Sequence, residues 1–556
     1  MSSADQQQRL QAIDTNISCI VQAPAGSGKT ELLIQRLLAL LAVVDKPQQI
    51  LAITFTNKAA AEMRRRLLDA LVQARTVPQP QAEHEALTWR LARQALERQG
   101  ESLLLNPAQL AIQTIDSFCA TIVRKMPWVT RFGGMPDMSD NPSELYEEAV
   151  IQLFAQLEQP GPVSDALKIV LEHLDNDMAV VQRMLVSLLG RRDQWLRHLT
   201  SEKDQLHHEL NAGLECICND HLDRARQSIP APLVSELLAC LDFAARHCPD
   251  DSAIAHWRAQ EVLPPATMEH VTLWVGLADL MLTSSGTLRK SLNKHAGFPP
   301  GNQYTTAKQR MVNLLQEFER VPDLAGAFQQ VRFLPQQLYS AKQWQLLDAL
   351  FDLLPRLVAQ LWLVFRSRGE ADFTEIALKA NAALGAADHP SELLLQLDYQ
   401  LQHILVDEFQ DTSRLQYQLF STLTAGWDAG DGRSIFLVGD PMQSIYRFRE
   451  AEVGLFLHSF KGSFGNANLP LTPLRLCCNF RSQQGIVDWV NQTFTTIFPA
   501  RMDVTTGAVP VATAQAVKPA LAGKAVQIHP FAVLDDIAEA KRIVAIIEAA
   551  QAVDPQ

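Results

Sequence analysis

The chain has 556 residues and a mass of 61.8 kDa, with 47% hydrophobic and 20% charged residues. This length exceeds one compact core and predicts about three or four domains, and the composition excludes a disordered or fibrous protein. The net charge of −12 argues against a wholly basic coat for nucleic acid. A local groove for nucleic acid stays compatible with it, because residues 1–125 hold 14 lysines and arginines against 11 acidic residues.

The eight cysteines predict neither a metal site nor a disulfide framework. Cys216 and Cys218 are separated by one residue, Cys477 and Cys478 are adjacent, and the others stand apart. These spacings fit neither zinc nor iron–sulfur ligands, nor a secreted disulfide scaffold. We therefore expect reduced thiols in a cytoplasmic protein.

The sequence predicts no targeting segment and no membrane span. Its N-terminus is polar, which argues against a signal peptide. The most apolar stretch, residues 346–365, contains Asp348, Asp352, Pro355 and Arg356. It predicts a buried amphipathic helix with a proline break.

Short, apolar, β-rich runs predict strands at both ends of the chain. Because these runs are apolar throughout, the strands are expected to be buried on both faces, as in a parallel sheet. Helical periodicity at residues 31–44 and 58–74 falls between them, and strand, helix and strand in succession predict an α/β domain. The predicted strands are residues 19–23, 50–55, 110–114, 404–406 and 435–439.

The middle of the chain differs from both ends. Apolar residues recur there three and four apart, which predicts helices. We therefore expect residues 126–369 to be an all-helical insertion, too long to be a loop, between two segments of one α/β domain at 1–125 and 370–465. The clearest predicted helices are residues 145–157, 178–199 and 343–365.

Residues 466–556 predict the start of a further unit. It has an expected strand at 525–531 and an expected helix at 535–549. Residues 297–301 and 388–390 are expected to be linkers, because glycine, proline and polar residues dominate them.

A glycine-rich run lies between the first predicted strand and the first predicted helix. Its glycines let backbone N–H groups face phosphate oxygens, and the following helix N-terminus adds a partial positive charge. Lys29 would reach the β- and γ-phosphates, and the Thr30 hydroxyl would bind Mg²⁺. The alternative is a glycine-rich turn without a ligand, and Ala23 stands where the P-loop pattern usually begins with glycine. The run is Ala23, Pro24, Ala25, Gly26, Ser27, Gly28, Lys29 and Thr30.

Two acidic residues follow the strand predicted at 404–406. Carboxylates at the end of an apolar strand are costly unless they hold a cation or a reactive water. Asp407 is placed to hold Mg²⁺ through water, and Glu408 to polarise the attacking water. The alternative, a surface acidic turn, usually explains an isolated Asp-Glu pair, but it fits poorly after a P-loop and among parallel-strand signals.

The segment after the strand predicted at 435–439 combines an amide, aromatic rings and cations. Gln443 can sense a γ-phosphate without adding charge. Tyr446, Phe448 and Arg449 have the composition of a platform on which unpaired bases stack. The alternative for these rings is a place in the core.

The run from 476 to 482 offers a second aromatic and cationic pair. Phe480 is a candidate base-stacking ring, and Arg481 a candidate clamp on the γ-phosphate. Taken alone this signal is weak, because aromatic side chains more often belong to a core.

The order of these motifs resembles that of the UvrD/Rep family of superfamily-one DNA helicases. The long helical segment and residues 114–119 resemble the AddA/RecB-like branch most, and residues 372–376 resemble a segment that the family carries ahead of its Asp-Glu strand. The resemblance implies a RecA-like P-loop NTPase domain with a parallel sheet. The matching segments are residues 23–30, 54–63, 114–118, 407–412, 439–449 and 479–482.

The resemblance also implies a role for each candidate residue at the nucleotide site. Thr30 and Asp407 would bind Mg²⁺, the run from Ala23 to Thr30 would bind ATP, and Phe480 would stack on adenine. The family's adenine-reading glutamine falls at Arg9, with Gln8 one residue away, so adenine selectivity stays open. The implied catalytic residues are Lys29, Asp407, Glu408, Gln443 and Arg481.

Three groups of residues match positions that contact single-stranded DNA in the family. The first would grip the DNA backbone, the second lies beside it, and the third would contact bases, with Phe448 in place of the usual tryptophan. They are Thr56, Asn57 and Lys58; Thr114, Ser117 and Phe118; and Tyr446, Phe448 and Arg449.

The implied function is that of an ATP-dependent DNA helicase or translocase. It would move 3′ to 5′ along single-stranded DNA in repair or recombination, with ATP and Mg²⁺ as cofactors. The family's later motifs and nuclease domain are not found after Arg481, so residues 466–556 are expected to be an incomplete second RecA-like domain, either of a longer protein or of a truncated gene product. A nuclease or AddB/RecC-like subunit is then a candidate partner.

Two other functions compete with this one. The first is that of a truncated module that binds ATP and DNA without efficient hydrolysis or unwinding. The second is that of a nuclease, which has little support because no further cluster of carboxylates and lysine occurs.

Overall fold

The structure, a computed structural model, falls into two compact units. One comprises Met1–Pro142 with Phe365–Gln556, and the other Ser143–Val364. The residues that it describes are 4–126, 135–139, 141–200, 203–386, 389–445, 451–465, 469–500, 502, 504, 507–531 and 534–553.

The strands of the first unit build one large sheet and several two-stranded ones. In chain order they are β1 (Cys19–Gln22), β2 (Ile50–Thr54), β3 (Ala111–Thr114), β4 (Asp137–Met138), β5 (Glu370–Ala371), β6 (Gly385–Ala386), β7 (His389–Pro390), β8 (His403–Val406), β9 (Ser434–Gly439), β10 (Ser463–Phe464), β11 (Leu469–Pro470), β12 (Thr472–Arg475), β13 (Cys478–Gln483) and β14 (Gln515–Lys518).

The large sheet has six parallel strands in the order β12-β1-β9-β8-β2-β3. Every residue of β1, β2, β8 and β9 is buried, as their continuous apolar sequences require. The five strands predicted from sequence and the α/β class are confirmed, and each strand differs from its prediction by one residue at one end.

The sixth strand, β12, was not expected. It pairs with β1 at the edge of the sheet and places Pro473 opposite Ile20. A proline lacks the N–H that a central strand needs, but an edge strand tolerates it. The large sheet therefore extends to Arg475, within the segment 466–556.

Helices pack against this sheet and continue to the end of the described chain. Leu32, Leu38 and Leu40 of the helix after β1 are fully buried against the sheet, which accounts for its apolar sequence. The helices are Gln6–Ile13, Lys29–Leu41, Asn57–Thr76, Glu83–Gln99, Ser102–Leu105, Ile115–Lys125, Phe373–Leu384, Glu392–Gln400, Arg414–Leu423, Val453–Ser459, Gln484–Phe494 and Asp536–Val553.

Two predictions for the first unit need correction. Residues 525–531 form no strand, and Ile528 and Phe531 are exposed; the strand of this region is β14, which pairs in parallel with β13. Residues 389–390, expected in a linker, pair with β6 as a short antiparallel strand. The helix predicted at 535–549 is confirmed as Asp536–Val553.

The second unit is helical in its described residues, apart from an isolated bridge between Leu282 and Leu288. Its core includes Trp257 and Trp274, whose ring centroids lie 6.4 Å apart at 88°. Each indole N–H donates to a backbone carbonyl, so neither ring buries an unpaired donor. The helices that lie in or border this unit are Pro142–Phe154, Pro162–His173, Met178–Gly190, Arg192–Trp195, Lys203–Ser228, Val234–His247, Val271–Met281, Thr305–Phe318, Leu324–Val331 and Ala341–Arg368.

Two details of the predicted helices are wrong. The helix Ala341–Arg368 runs through Pro355 without a break. A proline removes one hydrogen bond from a helix, and burial of this helix's apolar face outweighs that loss. The single helix expected at 178–199 is divided at Arg191, where the helix Met178–Gly190 ends.

No single helix among the described residues is long and apolar enough to cross a membrane. One pair of helices, Lys203–Ser228 and Ala231–His247, passes that test together by length and composition, with a bend of 82° between them.

Candidate nucleotide site

The candidate residues meet at one edge of the large sheet. The glycine-rich run follows β1, Asp407 follows β8, and Asp440 follows β9, which lies between these two strands. Because all three strands are parallel, their carboxyl ends open at the same edge, where α/β proteins bind ligands.

The glycine-rich run has the backbone of a phosphate-binding loop. Gly26 and Gly28 have φ of +79° and +77°, a region that favours glycine. A Cβ atom at Gly26 would lie 2.7 Å from the side-chain oxygen of Asn479, so any other residue there would force Asn479 to move. The backbone N–H of Ala23 donates to the carbonyl of Gly439, which ties the start of the loop to β9.

Lys29 joins the loop to the acidic pair. It begins the helix Lys29–Leu41, and its Nζ lies 2.5 Å from Oε1 of Glu408 and 3.5 Å from Oδ1 of Asp407. Lys29 and Asp407 are 378 positions apart in the chain, and the sequence predicted them as separate candidates. The fold brings them together because β9 alone separates β1 from β8.

The charges at this edge do not balance. Burial lowers the pKa of Lys29, but the two carboxylates outweigh it and hold that pKa above its usual value. Burial raises the pKa of Asp407, which shares the ammonium with the closer Glu408. Within the described chain, Lys29 is the one cation paired with either carboxylate. Two carboxylates around one ammonium leave an excess negative charge that a divalent cation would neutralise.

Gln410, which sequence reasoning did not single out, connects the ends of β8 and β9. Its Nε2 donates to Oε2 of Glu408 (2.8 Å) and to Oδ2 of Asp411 (3.0 Å), and its Oε1 accepts from the backbone N–H of Asp440 (2.9 Å). Glu408 itself has a φ of +54°, a strained value for a residue with a side chain. Gln410 thus holds the Glu408 carboxylate in place. Its position two residues after Glu408 was the one sequence signal that could have identified it.

The amide of Gln443 faces a carboxylate in this arrangement. Its Nε2 donates to Oδ2 of Asp440 (2.6 Å), which is buried and has a pKa raised by that burial. Nearby, Ser444 donates to Oδ1 of Asp411 (3.0 Å), whose pKa burial raises to about 6. Hydrogen bonds among the side chains that follow β8 and those that follow β9 therefore link the segment after β9 to the acidic pair.

The segment around Phe480 packs on the phosphate-binding loop. The N–H of Phe480 donates to the carbonyl of Gly26 (2.8 Å), and Nδ2 of Asn479 donates to the carbonyl of Ala25 (3.1 Å). The Phe480 side chain is 40% exposed beside Gly28. The ring therefore stands next to the loop, as base stacking would require.

The guanidinium of Arg481 takes no part in these contacts. Its backbone N–H donates to Oδ1 of Asn479 (3.0 Å), while its side chain is exposed. In the described part of the chain no ion pair or hydrogen bond joins this guanidinium to Lys29, Glu408 or Asp407.

Arg9 lies at the same place as Phe480. Its guanidinium carbon is 5.1 Å from the centroid of the Phe480 ring, and its Nη2 donates to the carbonyl of Ser27. Asp5, which carried no sequence signal, pairs with Arg9 and accepts the backbone N–H groups of Cys477 and Cys478. An Asp5 oxygen and both thiols lie within 4.8 Å of one another, but the Asp5 oxygens already accept these hydrogen bonds.

The first six candidate DNA contacts lie at the same edge, after β2 and β3. Thr56 and Thr114 cap the helices that begin there, accepting the N–H of Ala59 (3.1 Å) and of Ser117 (3.2 Å). Asn57 and Lys58 are exposed and Ser117 is half-buried, whereas the ring of Phe118 is buried in the core and does not reach the surface. Tyr446, Phe448 and Arg449 lie outside the described residues.

The side chains present fit a nucleoside triphosphate with Mg²⁺. The Ser27 hydroxyl is buried in the loop and has no hydrogen-bond partner among the described residues, as expected of a donor that faces a phosphate. Lys29 would bind the phosphates, and Thr30 and Asp407 would hold the metal ion. When bound, Mg²⁺ stabilises the charge that develops on the phosphates.

Known proteins resemble this chain over most of its length. A family model of the UvrD/REP helicase N-terminal domain matches residues 3–464. An ATP-dependent helicase/nuclease subunit from Lysinibacillus sphaericus (strain C3-41) is 26% identical over 518 residues, which are 87% of this chain and 39% of that protein. Proteins of the same name from Bacillus cereus (strain ATCC 10987 / NRS 248) and Bacillus anthracis are 28% and 27% identical, over 85% and 87% of this chain. The chain spans 38% of each of these two. Because the family model matches most of the chain, the chain belongs to the UvrD/REP helicase N-terminal domain family.

Proposed function

We propose that this chain binds ATP with Mg²⁺ at the edge of the large sheet and hydrolyses it as the motor of a DNA helicase or translocase. The observation that carries this proposal is the contact of Lys29, in the phosphate-binding loop, with Glu408 and Asp407 after β8. Family membership and the names of the relatives support it.

The roles within the site follow from side-chain chemistry. Lys29 and the backbone of the loop bind the phosphates, and Thr30 with Asp407 holds Mg²⁺. Glu408, oriented by Gln410, orients the attacking water. Gln443 and Arg481 contact the γ-phosphate, and Phe480 stacks on the base. Because the Gln443 amide donates to Asp440, Gln443 must reorient to contact the γ-phosphate.

Single-stranded DNA is the proposed track, crossed 3′ to 5′ in repair or recombination. Support comes from the exposed Asn57 and Lys58 at the edge that also holds the P-loop. The other contacts proposed are Thr56, Thr114, Ser117, Phe118, Tyr446, Phe448 and Arg449. For Phe118, the buried ring means that only its backbone can take part.

The proposed organisation is one RecA-like domain from residues 1–125 and 370–465, extended to Arg475 because β12 belongs to its sheet. A helical insertion at 126–369 interrupts it, and the rest of the segment 466–556 is proposed as part of a second RecA-like domain. The relatives are named as subunits of a helicase/nuclease, which supports a partner of the AddB/RecC kind. A cytoplasmic location is proposed with it.

Phosphate release from ATP, with and without single-stranded DNA, tests the motor. The wild-type chain is expected to release phosphate faster with DNA, and Glu408→Gln is expected to bind ATP but lose this release. Glu97→Gln, an exposed carboxylate on the helix Glu83–Gln99, is the matched control. Equal release by Glu408→Gln would contradict the proposal. ATP and DNA binding without release by the wild type would favour the binding module instead.

Fluorescence anisotropy with single-stranded DNA tests the track. Stacking of a base on an aromatic ring is worth about 1–3 kcal/mol, so Phe448→Ala is expected to weaken DNA binding by about tenfold or more. Phe333→Ala, which removes an exposed ring of the helical unit, is the control. A lower melting temperature with unchanged DNA affinity would instead assign Phe448 to the core.

A further inference from the structure

A buried ion pair fixes the position of Arg9 beside the base-stacking ring. Asp5 is 1% exposed, and its carboxylate accepts from Nε of Arg9 (3.0 Å), from the backbone N–H of Cys477 (3.1 Å) and from that of Cys478 (3.2 Å). The pair therefore joins the N-terminal helix to the segment that carries Phe480. Arg9 cannot change its direction without breaking the Asp5 contacts.

The Arg9 guanidinium lies where the phosphate-binding loop and Phe480 meet. Its carbon is 5.1 Å from the ring centroid of Phe480, and Nη2 donates to the carbonyl of Ser27. A Cβ atom at Gly28 would lie 3.6 Å from Nη1 of Arg9 and 3.8 Å from Cδ2 of Phe480. A nucleotide whose base stacks on Phe480 and whose phosphates occupy the loop therefore contacts Arg9.

The chemistry of arginine limits what this side chain can recognise. A guanidinium only donates hydrogen bonds. The Nε and Nη2 groups of Arg9 are used by Asp5 and Ser27, and Nη1 has no hydrogen bond among the described residues. Guanine presents two acceptors on one edge, N7 and O6, whereas adenine presents the acceptor N7 and the donor N6. A donor at this position can pair with N7 of either base or with O6 of guanine. It cannot pair with N6 of adenine, which is itself a donor.

A glutamine at the same position would behave differently. Its amide both donates and accepts, so it can pair with N7 and N6 of adenine together. Gln8 does not substitute for it, because consecutive residues point about 100° apart on a helix, and no described contact joins Gln8 to Phe480 or to the loop.

We propose that Arg9 is the specificity-determining residue of the base site, and that it allows guanine nucleotides to bind about as well as adenine nucleotides. This inference rests on the proposed function, because it requires that the site bind a nucleoside triphosphate. It goes beyond that function in naming the substrate class as purine nucleoside triphosphates.

Competition binding tests the inference without any turnover. A fluorescent ATP analogue with Mg²⁺ is displaced by unlabelled ATP or GTP, for the wild type, for Arg9→Gln and for the control Arg93→Gln on an exposed helix face. The wild type and the control are expected to bind ATP and GTP within about threefold of each other. Arg9→Gln is expected to favour ATP by about tenfold, the discrimination of one modest bidentate pair.

The outcomes separate this inference from the proposed function. A wild type that binds ATP more than about thirtyfold better than GTP would overturn the inference and leave ATP binding intact. A wild type that binds neither nucleotide would overturn the proposed function itself. An Arg9→Gln protein with unchanged melting temperature and an unchanged ATP-to-GTP ratio would overturn the role of Arg9. If Arg9→Gln fails to fold, the wild-type ratio alone decides.

Discussion

Replacing Lys29 by methionine removes a charge that serves two purposes at the candidate site. Methionine keeps most of the aliphatic volume but leaves Asp407 and Glu408 without their cation, 3.5 Å and 2.5 Å from the lost Nζ. The Asp407 side chain is 13% exposed, so water cannot fully replace the ammonium. We therefore expect losses both in stability and in nucleotide affinity.

The two losses differ in size. Breaking a fully buried pair costs about 3–5 kcal/mol, but the Glu408 side chain is 35% exposed, so about 1–2 kcal/mol is expected here after solvent screening. That is a decrease of a few degrees in melting temperature. Toward the nucleotide, the charge-assisted bonds from Lys29 to phosphate are worth about 1.5–3 kcal/mol each. Nucleotide affinity should fall by about tenfold to a hundredfold.

Calorimetric titration with ATP and Mg²⁺ measures the affinity, and thermal unfolding measures the stability. Lys46→Met, an exposed lysine just before β2 and so at the opposite edge of the sheet, is the matched control. Combining Lys29→Met with Glu408→Gln should give a coupling energy of about 1 kcal/mol. Equal ATP affinity of Lys29→Met and wild type would refute the phosphate-binding role. Strictly additive stability changes would refute the ion pair.

Three further predictions concern buried groups. Arg36→Met is expected to lower the free energy of unfolding in urea by about 1–3 kcal/mol for each acceptor that it leaves unpaired, because the fully buried guanidinium donates to backbone carbonyls and to the Ser434 hydroxyl; a change under about 1 kcal/mol would contradict this. Asp411 has a pKa raised by burial from 3.8 to about 6, so the folded state binds more protons between these values and the contribution of Asp411 to stability falls as pH rises through 6. Asp411→Asn should therefore flatten the fall in unfolding free energy between pH 4 and 7, and an unchanged slope would refute the assignment. Iodoacetamide at pH 8 should label the exposed Cys216 first and leave Cys119 unlabelled, since burial raises the pKa of Cys119 to about 12; peptide mass spectrometry that finds Cys119 labelled in the folded protein would contradict it.

Local sequence was sufficient for the parts of the fold with strong, short-range signals. The five predicted strands are continuous apolar runs, which only a sheet covered on both faces can bury. The loop from Ala23 to Thr30 needs glycine at φ near +79° and +77°, and the sequence supplies glycine at both positions. Lys29, Asp407 and Glu408 were therefore identified from sequence as candidate residues, while their roles stay predictions.

Weak or misleading local patterns produced the errors. The strand β12 contains Pro473, which the pattern rules exclude from a central strand, and only its edge position makes it acceptable. Residues 525–531 alternate like a strand, but Ile528 is 75% exposed because no strand or helix in the described part of the chain covers it. Pairing partners distant in sequence, which a local pattern does not contain, decided both cases.

The sequence by itself determined which residue types follow each strand; the tertiary structure decided which of them touch. Asp5 accepts a hydrogen bond from the N–H of Cys477, 472 positions away in the chain, and Arg36 donates to the hydroxyl of Ser434, 398 positions away. Gln410 joins two acidic strand ends, and Arg9 lies against Phe480, only because parallel strands open at one edge and helices return the chain to it. Such contacts depend on strand order and on burial, which are properties of the whole sheet, and so no window of neighbouring residues encodes them.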